Sequence, residues 1–244
     1  MTILENDIEL TILMPCLNEQ DTICACIMDA QSFIERNALT AEVLVADNGS
    51  TDASAHLARQ LGASVISIPQ KGYGNALKGG IKKAKGRYVI FGDCDRSYDF
   101  SKLEGFLVAL REGNDLVMGN RFTGGIQKSA MPISHRYFGV PLLSLVGRWV
   151  YHVDIGDFHC GLRGFNREAF LNLNTKSEGM EFATEMIGAF AKKRLKIVEI
   201  PTTLRKAGRS GRPHLRTIRD GMRHAILLLK AASNNRYKKG EKTT

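Results

Sequence analysis

The segment FGDCDRSYDF, residues 91–100, sets three aspartates, Asp93, Asp95 and Asp99, just behind the apolar run RYVI at 87–90. Carboxylates this close repel one another unless a cation or hydrogen-bond donors stand between them. Residues two apart on a strand share a face, so a strand running from 87 to 93 is expected to turn Asp93 and Asp95 into one pocket. Mg²⁺ commonly takes one or two protein carboxylates together with substrate phosphates, which suits such a pair. A capped turn is the other reading, because aspartate is frequent in turns. Two further ways of holding phosphate fail. There is no G-x-x-x-x-G-K-[ST], and KGYGNALKGG at 71–80 has neither the spacing nor the preceding strand of a dinucleotide fingerprint.

The surrounding pattern explains how such groups could be brought together. Short β-branched runs at 10–15, 41–47, 63–68, 87–93 and 115–122 alternate with helical spacings such as Ile23, Ile27, Ala30 and Ile34, which predicts an α/β fold with a Rossmann-like, mainly parallel sheet flanked by helices. Ser50 or Thr51 is expected to cap the second helix and Gly62 to end it, and Ser101 with Glu104 reads as a capping box. Beyond 122 the alternation fades: an apolar helix at 141–151, a helix at 180–193 and a strand at 195–204 are expected to extend the sheet and wall a cleft. Ligands of open α/β sheets bind outside the carboxyl ends of the strands. Asn18 and Glu19, Asp47 and Asn48, Asp93 and Asp95, and Arg121 all fall at those ends.

Composition narrows the class. With 244 residues, 43% hydrophobic and 24% charged, the chain is that of an ordinary globular protein. One catalytic domain is expected over 1–233, in which 1–122 and 123–211 form two halves and 212–233 an amphipathic helix; 234–244 is expected to be a flexible basic tail. The net charge of +9 is concentrated at the end, where twelve Lys and Arg follow from Arg205 onward against Asp220 and Glu241. Such a patch suits nucleic acid, an anionic membrane or phosphate-bearing substrates; with no reader motif or interleaved aromatics, a nucleic-acid partner is not expected. Leu215, Ile218, Met222, Ala225, Ile226 and Leu229 share one helical face, and Arg216, Arg219, Arg223 and Lys230 another. That apolar face is expected to pack on the domain over its first two turns, the alternative being an anionic membrane surface. Five cysteines and an N-terminus without an export pattern suggest a reduced, cytoplasmic setting, and C-x-C at 24–26 without a second pair does not make a zinc site. No apolar run is long enough to span a bilayer.

TILMPCLNEQDTI, VADNGSTDAS, KGYGNALKGG, FGDCDRSYDF, VMGNRF, GDFHCGLRGF, GMEFATEM and LRKAGRSGRPHLRTIRDG occur in the order seen in inverting family-2 glycosyltransferases, and the chain most resembles their dolichyl-phosphate mannose synthase and bacterial polyprenyl-phosphate branch, over about residues 9–229. The resemblance implies a GT-A-type fold. It implies that Pro15, Asn18, Glu19 and Asp47 hold the base and ribose of a nucleotide sugar, with Lys71, Gly74 and Asn75 beside it. Asp93 would approach the nucleotide and Asp95 ligate Mg²⁺ or Mn²⁺ on the diphosphate. Arg121, Arg136 and Arg205 would hold the acceptor phosphate and the departing diphosphate, and Glu185 matches the acidic position of the second-half helix. The acceptor implied is a polyprenyl phosphate, taken by an enzyme peripheral to the inner face of the membrane, with or without a membrane subunit; a soluble or peptide-borne acceptor is the alternative. The sequence departs from the family's pattern at Asn48, where Asp is frequent, and at Ser97, where some relatives supply a second ligand beside the metal. His159 reads as a structural histidine.

Overall fold

The computed structural model describes residues 8–209 and 217–240, with side chains over 8–209 and 221–233. Among these, seven strands form one mixed sheet: β1 (Leu10–Cys16), β2 (Ala41–Asp47), β3 (Ser64–Ser67), β4 (Tyr88–Phe91), β5 (Leu116–Asn120), β6 (Arg163–Asn166) and β7 (Ile197–Pro201), in the spatial order β3-β2-β1-β4-β6-β5-β7. β6 runs antiparallel to β4 and β5, and the other pairings are parallel. The sheet therefore takes strands from both halves of the chain.

Period-two alternation puts β1 to work on both faces. Leu10, Ile12 and Met14 join a core with α1 (Ile23–Arg36) and α4 (Glu104–Arg111), while Leu13 joins the opposite core with α3 (Tyr73–Lys83), α6 (Val140–Tyr151), α8 (Phe182–Lys192) and α9 (Thr217–Gly240). α3 can lie close on the sheet because a Cβ on Gly80 would come within 2.5 Å of Leu13 Cδ1. α2 (Ser54–Gln60), α5 (Arg121–Gly124) and α7 (Arg167–Leu171) are short, and a π-helical turn, His135–Gly139, leads into α6.

Several boundaries differ from the sequence expectation for local reasons. β5 stops at Asn120 because that side chain leaves the ladder and accepts hydrogen bonds from Phe122 N (2.9 Å) and Thr123 N (3.1 Å), starting α5. The capping box of Ser101 and Glu104 does not form: Ser101 Oγ donates to Asp99 Oδ1 at 2.6 Å, and Glu104 accepts from Arg36 Nη2 at 3.1 Å. Neither Ser50 nor Thr51 caps α2; Asp52 Oδ1 instead accepts from Ser54 N at 2.9 Å. Gly62, at φ +79°, does follow the helix in the left-handed region.

Among the described side chains of α9, His224, Leu228 and Ala231 are buried, whereas Met222, Ile226 and Leu229 are exposed; most of the first two turns, where the apolar face is expected to pack inward, lies outside the described side chains. Arg223 pairs with Glu181 at 3.6 Å. Leu215, Arg212 and Arg216 lie outside the described residues, and α9 continues past Ser233 to Gly240.

Candidate active site

The chain passes from β1 to β2 and β3 on one side of the sheet, then returns to place β4 on the other side of β1. This reversal opens a crevice at the carboxyl ends of β1 and β4, the position where open α/β sheets take ligands. Glu19 reaches it from the loop after β1, and Asp93 and Asp95 from the turn after β4.

That turn corrects the strand argument. β4 ends at Phe91, where its ladders with β1 and β6 both stop, so Asp93 and Asp95 are not on a strand and owe their convergence to the turn, whose Arg96 has φ +68°. Asp93 Oδ1 accepts the Tyr73 hydroxyl at 3.0 Å. Asp95 Oδ1 accepts Ser97 N at 2.9 Å. Asp99 is turned elsewhere, onto Ser101 and the guanidinium of Arg205. Burial, then the neighbouring charge of Asp95, pushes the Asp93 carboxyl up to about 6. Glu19 is pushed up to about 7, by burial foremost, with Asp95 and Asp93 adding to the shift and Arg209 opposing it.

Positive charge comes from the segment after β7. Arg205 N donates to Ser97 O (2.9 Å) and Gly208 N to Asp95 O (2.7 Å), laying residues 205–209 across the aspartate turn as a strap. Arg209 Nη2 sits 2.6 Å from Asp95 Oδ2 and 3.0 Å from Glu19 Oε1. Its Nε and Nη1 are buried without a hydrogen-bond partner among the described residues. Arg209 was not singled out from the sequence, although it stands inside the basic LRKAGRSG motif; its partners are more than a hundred residues away.

The donor set fits a hard divalent cation. Asp95 and Asp93 offer carboxylate oxygens in a partly buried pocket whose mutual repulsion already attracts a guanidinium. Among the described residues no three His, Cys, Asp or Glu side chains group for a metal, so phosphate and water oxygens would complete the coordination, as is usual for Mg²⁺.

The remaining expected residues take varied places. Asn18, at φ +54°, accepts Thr51 N at 2.8 Å and, through its own N, donates to Ser50 Oγ at 2.9 Å, stitching the loops after β1 and β2. Pro15 O accepts the Cys94 thiol at 3.2 Å, and Asp47 accepts Ser50 N at 3.1 Å. Lys71 Nζ donates to Asn48 O at 2.9 Å, while Asn48 itself binds Gln70 O, Ile68 O and Gly72 N, an amide network that a second Asp could not make. Gly74 is needed for packing, since a Cβ there would lie 2.6 Å from Ser177 O, and Asn75 N donates to Glu178 O at 3.2 Å.

Three of the expected catalytic groups make no hydrogen bond or ion pair with the acid cluster among the described residues. Arg121 is bound in bidentate fashion to Asp157, at 2.6 and 2.7 Å, with both side chains buried. Asp157 is in turn held by Glu199 through its backbone N–H at 2.8 Å. Arg136, in the π-helical turn, lies 5.5 Å over the Tyr137 ring. Glu185 accepts Lys176 N (2.9 Å) and Ser177 N (2.7 Å), which fixes the loop that touches α3, and it lines a groove of about 320 Å³ with Tyr151, Lys192 and Lys230. Sequence reasoning also missed Arg163, fully buried and bonded to the carbonyls of Cys160, Phe158 and Ala183, which shapes the GDFHCGLRGF loop from inside. His159 in that loop is half-buried and edge-on to His224 at 4.7 Å, and its Nε2, shut off from solvent, finds no hydrogen-bond partner among the described residues, unlike the hydrogen-bonded structural histidine expected.

Residues 11–173 match the family described as Glycosyl transferase family 2. The chain is 38% identical over 221 residues to the low-salt glycan biosynthesis hexosyltransferase Agl6 of Haloferax volcanii, a match covering 90% of this chain and 53% of that protein, so the chain spans about half the length of that relative. The dolichyl-phosphate hexose transferase of the same organism is 28% identical over 199 residues, covering 81% of this chain and 83% of its own. Among solved structures, glucosyl-3-phosphoglycerate synthase from Mycobacterium tuberculosis in complex with Mn²⁺, UDP and glucosyl-3-phosphoglycerate superposes with a TM-score of 0.71 at 22% identity, over 92% of this chain and 79% of that one, a likeness of fold.

Proposed function

The chain belongs to glycosyl transferase family 2, and from that premise we propose that it moves a hexose from a UDP- or GDP-sugar to the phosphate of a polyprenyl phosphate, at the cytoplasmic face of a membrane. The observation that carries this reading is the crevice between β1 and β4, where Glu19, Asp93 and Asp95 face the arginine-bearing strap. An acidic pocket closed by guanidinium groups suits a diphosphate that arrives with a divalent cation. The relative named a dolichyl-phosphate hexose transferase supports the acceptor class.

An acceptor phosphate oxygen attacks the anomeric carbon and forms the new C–O bond. The bond to the nucleoside diphosphate breaks with inversion, and the electron pair leaves on the diphosphate. A phosphate monoester is ionised near neutral pH, so this attack needs no strong base. Asp95, with Asp93, would hold Mg²⁺ or Mn²⁺, which neutralises charge on the departing oxygens. Arg209 and Arg205, freed from Asp95 and Asp99, can pair with phosphate through the same fork geometry. Asn18, Glu19, Asp47 and Lys71 frame the nucleotide's end of the crevice. Arg121, spent on Asp157, builds the wall.

The test is product analysis with labelled UDP- and GDP-hexoses, Mn²⁺, and either polyprenyl phosphate or a soluble phosphorylated acceptor such as 3-phosphoglycerate. Label extracted into organic solvent in the first reaction alone supports the lipid acceptor. Label only in a water-soluble product assigns the same donor chemistry to a soluble acceptor.

A further inference from the structure

α6 is apolar on two faces, one packed on the core through Leu143, Val146, Val150 and Tyr151 and the other open. It buries Ser144 and Gly147, with Val150 and Tyr151, and turns Leu142, Leu145 and Trp149 to solvent, the last 63% exposed. Positions 142, 145 and 149 recur at three and four residues and so lie on one helical face. The preceding turn continues the stripe with Ile133, Tyr137 and Phe138, 75, 61 and 72% exposed. A Cβ on Gly147 would fall 2.5 Å from Phe158, so the helix cannot roll to bring its large side chains inward. α9, which shares the core of α6, likewise exposes Met222, Ile226 and Leu229. A concentration of large apolar side chains of this kind marks an interaction surface.

The charge around it selects the partner. No Asp or Glu occurs between Asp115 and Asp154, while Lys128, Arg136 and Arg148 do, and the chain's excess of Lys and Arg lies in and around α9. Tyr137 and Trp149, with apolar bodies and polar tips, suit the boundary between headgroups and acyl chains. Arg136, offered above as a phosphate-binding position, stands next to Tyr137 and Phe138 on this same turn. A molecule with a phosphate head and an isoprenoid tail would meet both.

We propose that the face formed by the turn at His135–Gly139 and α6, flanked by α9, is the surface that seats the protein on an anionic lipid bilayer; the inference rests on the lipid acceptor proposed above and names where the membrane lies. Among the described residues no helix is long and apolar enough to cross a membrane, and this face needs only to enter the headgroup boundary.

Trp149 is the sole tryptophan, so its fluorescence reports this face directly. With mixed phosphatidylcholine and phosphatidylglycerol vesicles, free of polyprenyl phosphate, its emission is expected to shift to the blue and to lose quenching by aqueous iodide. Leu145→Glu should weaken vesicle partition by roughly tenfold, with the UDP- and Mn²⁺-dependent rise in melting temperature unchanged as the check on folding. Three outcomes overturn the proposal: no partition, partition with Trp149 still open to iodide, or shielding of Trp149 at high protein concentration without vesicles and with a doubled mass, which assigns the face to a second copy. Because no acceptor lipid is present, these outcomes are independent of whether polyprenyl phosphate proves to be the substrate.

Discussion

Arg209 Nη2 lies 2.6 Å from Asp95 Oδ2 and 3.0 Å from Glu19 Oε1, so a single guanidinium bridges the turn after β4 and the loop after β1. On the proposed assignment Arg209 occupies a carboxylate that would otherwise be offered to a divalent cation. In Arg209→Ala the buried Asp95 carboxylate loses this counter-charge, and leaving such a partner uncompensated costs about 3 kcal/mol. The variant should melt roughly 5–10 °C lower in EDTA and recover much of the loss with Mn²⁺ alone. Equal melting of variant and wild type in EDTA would show that the contact contributes nothing.

As the proposed metal ligand, Asp95 would couple metal to nucleotide. With wild type, UDP should raise the melting temperature only when Mn²⁺ or Mg²⁺ is present, since the diphosphate otherwise faces an acidic pocket. Asp95→Ala should abolish that increment. UDP-dependent stabilisation that survives in the variant, with or without metal, contradicts the assignment of Asp95 as a ligand.

Arg121 and Asp157 form the buried ion pair that fastens α5 to the GDFHCGLRGF loop. Asp157→Asn preserves shape but strands a buried guanidinium, and urea unfolding should show a loss of about 3–5 kcal/mol. Arg121→Lys should not match wild type, because an ammonium cannot reproduce the two parallel bonds. A near-neutral Asp157→Asn would free Arg121 for a direct role at phosphate.

His159 sets a pH limit. Burial holds its pKa well below the ordinary value, with the charges of His224, Arg121, Arg163 and His135 acting in the same direction. A depressed folded pKa gives stability that is complete above the unfolded value near 6.5 and is lost as pH falls below it. Glu19 acts oppositely: its carboxyl, raised to about 7, imposes a cost at neutral pH that is relieved on the way down to the unfolded value of 4.5. Comparing His159→Gln with wild type separates the two. The variant should lack a loss of about 1 kcal/mol between pH 6.5 and 5.5. Parallel stability curves for the two proteins over that interval would rule the contribution out.

The sequence by itself determined the alternation of strands and helices, because period-two and helical spacings are local, and β2 runs over Ala41–Asp47 as expected. It also placed Asn18, Glu19 and Asp47, and the turn that carries Asp93 and Asp95, beyond the carboxyl ends of β1, β2 and β4, since every parallel strand of a wound sheet delivers its carboxyl end to the same side. Tertiary structure decided the partners. Arg209 meets Asp95 and Glu19 only because β7 returns beside β5 and sends its strap across the crevice, and Arg121 is lost to Asp157 across 36 residues. It decided, too, which face of an amphipathic helix is covered: the stripe of Met222, Ile226 and Leu229 looks outward because α9 packs through His224, Leu228 and Ala231, a choice made by the shape of the surface it meets and invisible to the helix's own periodicity.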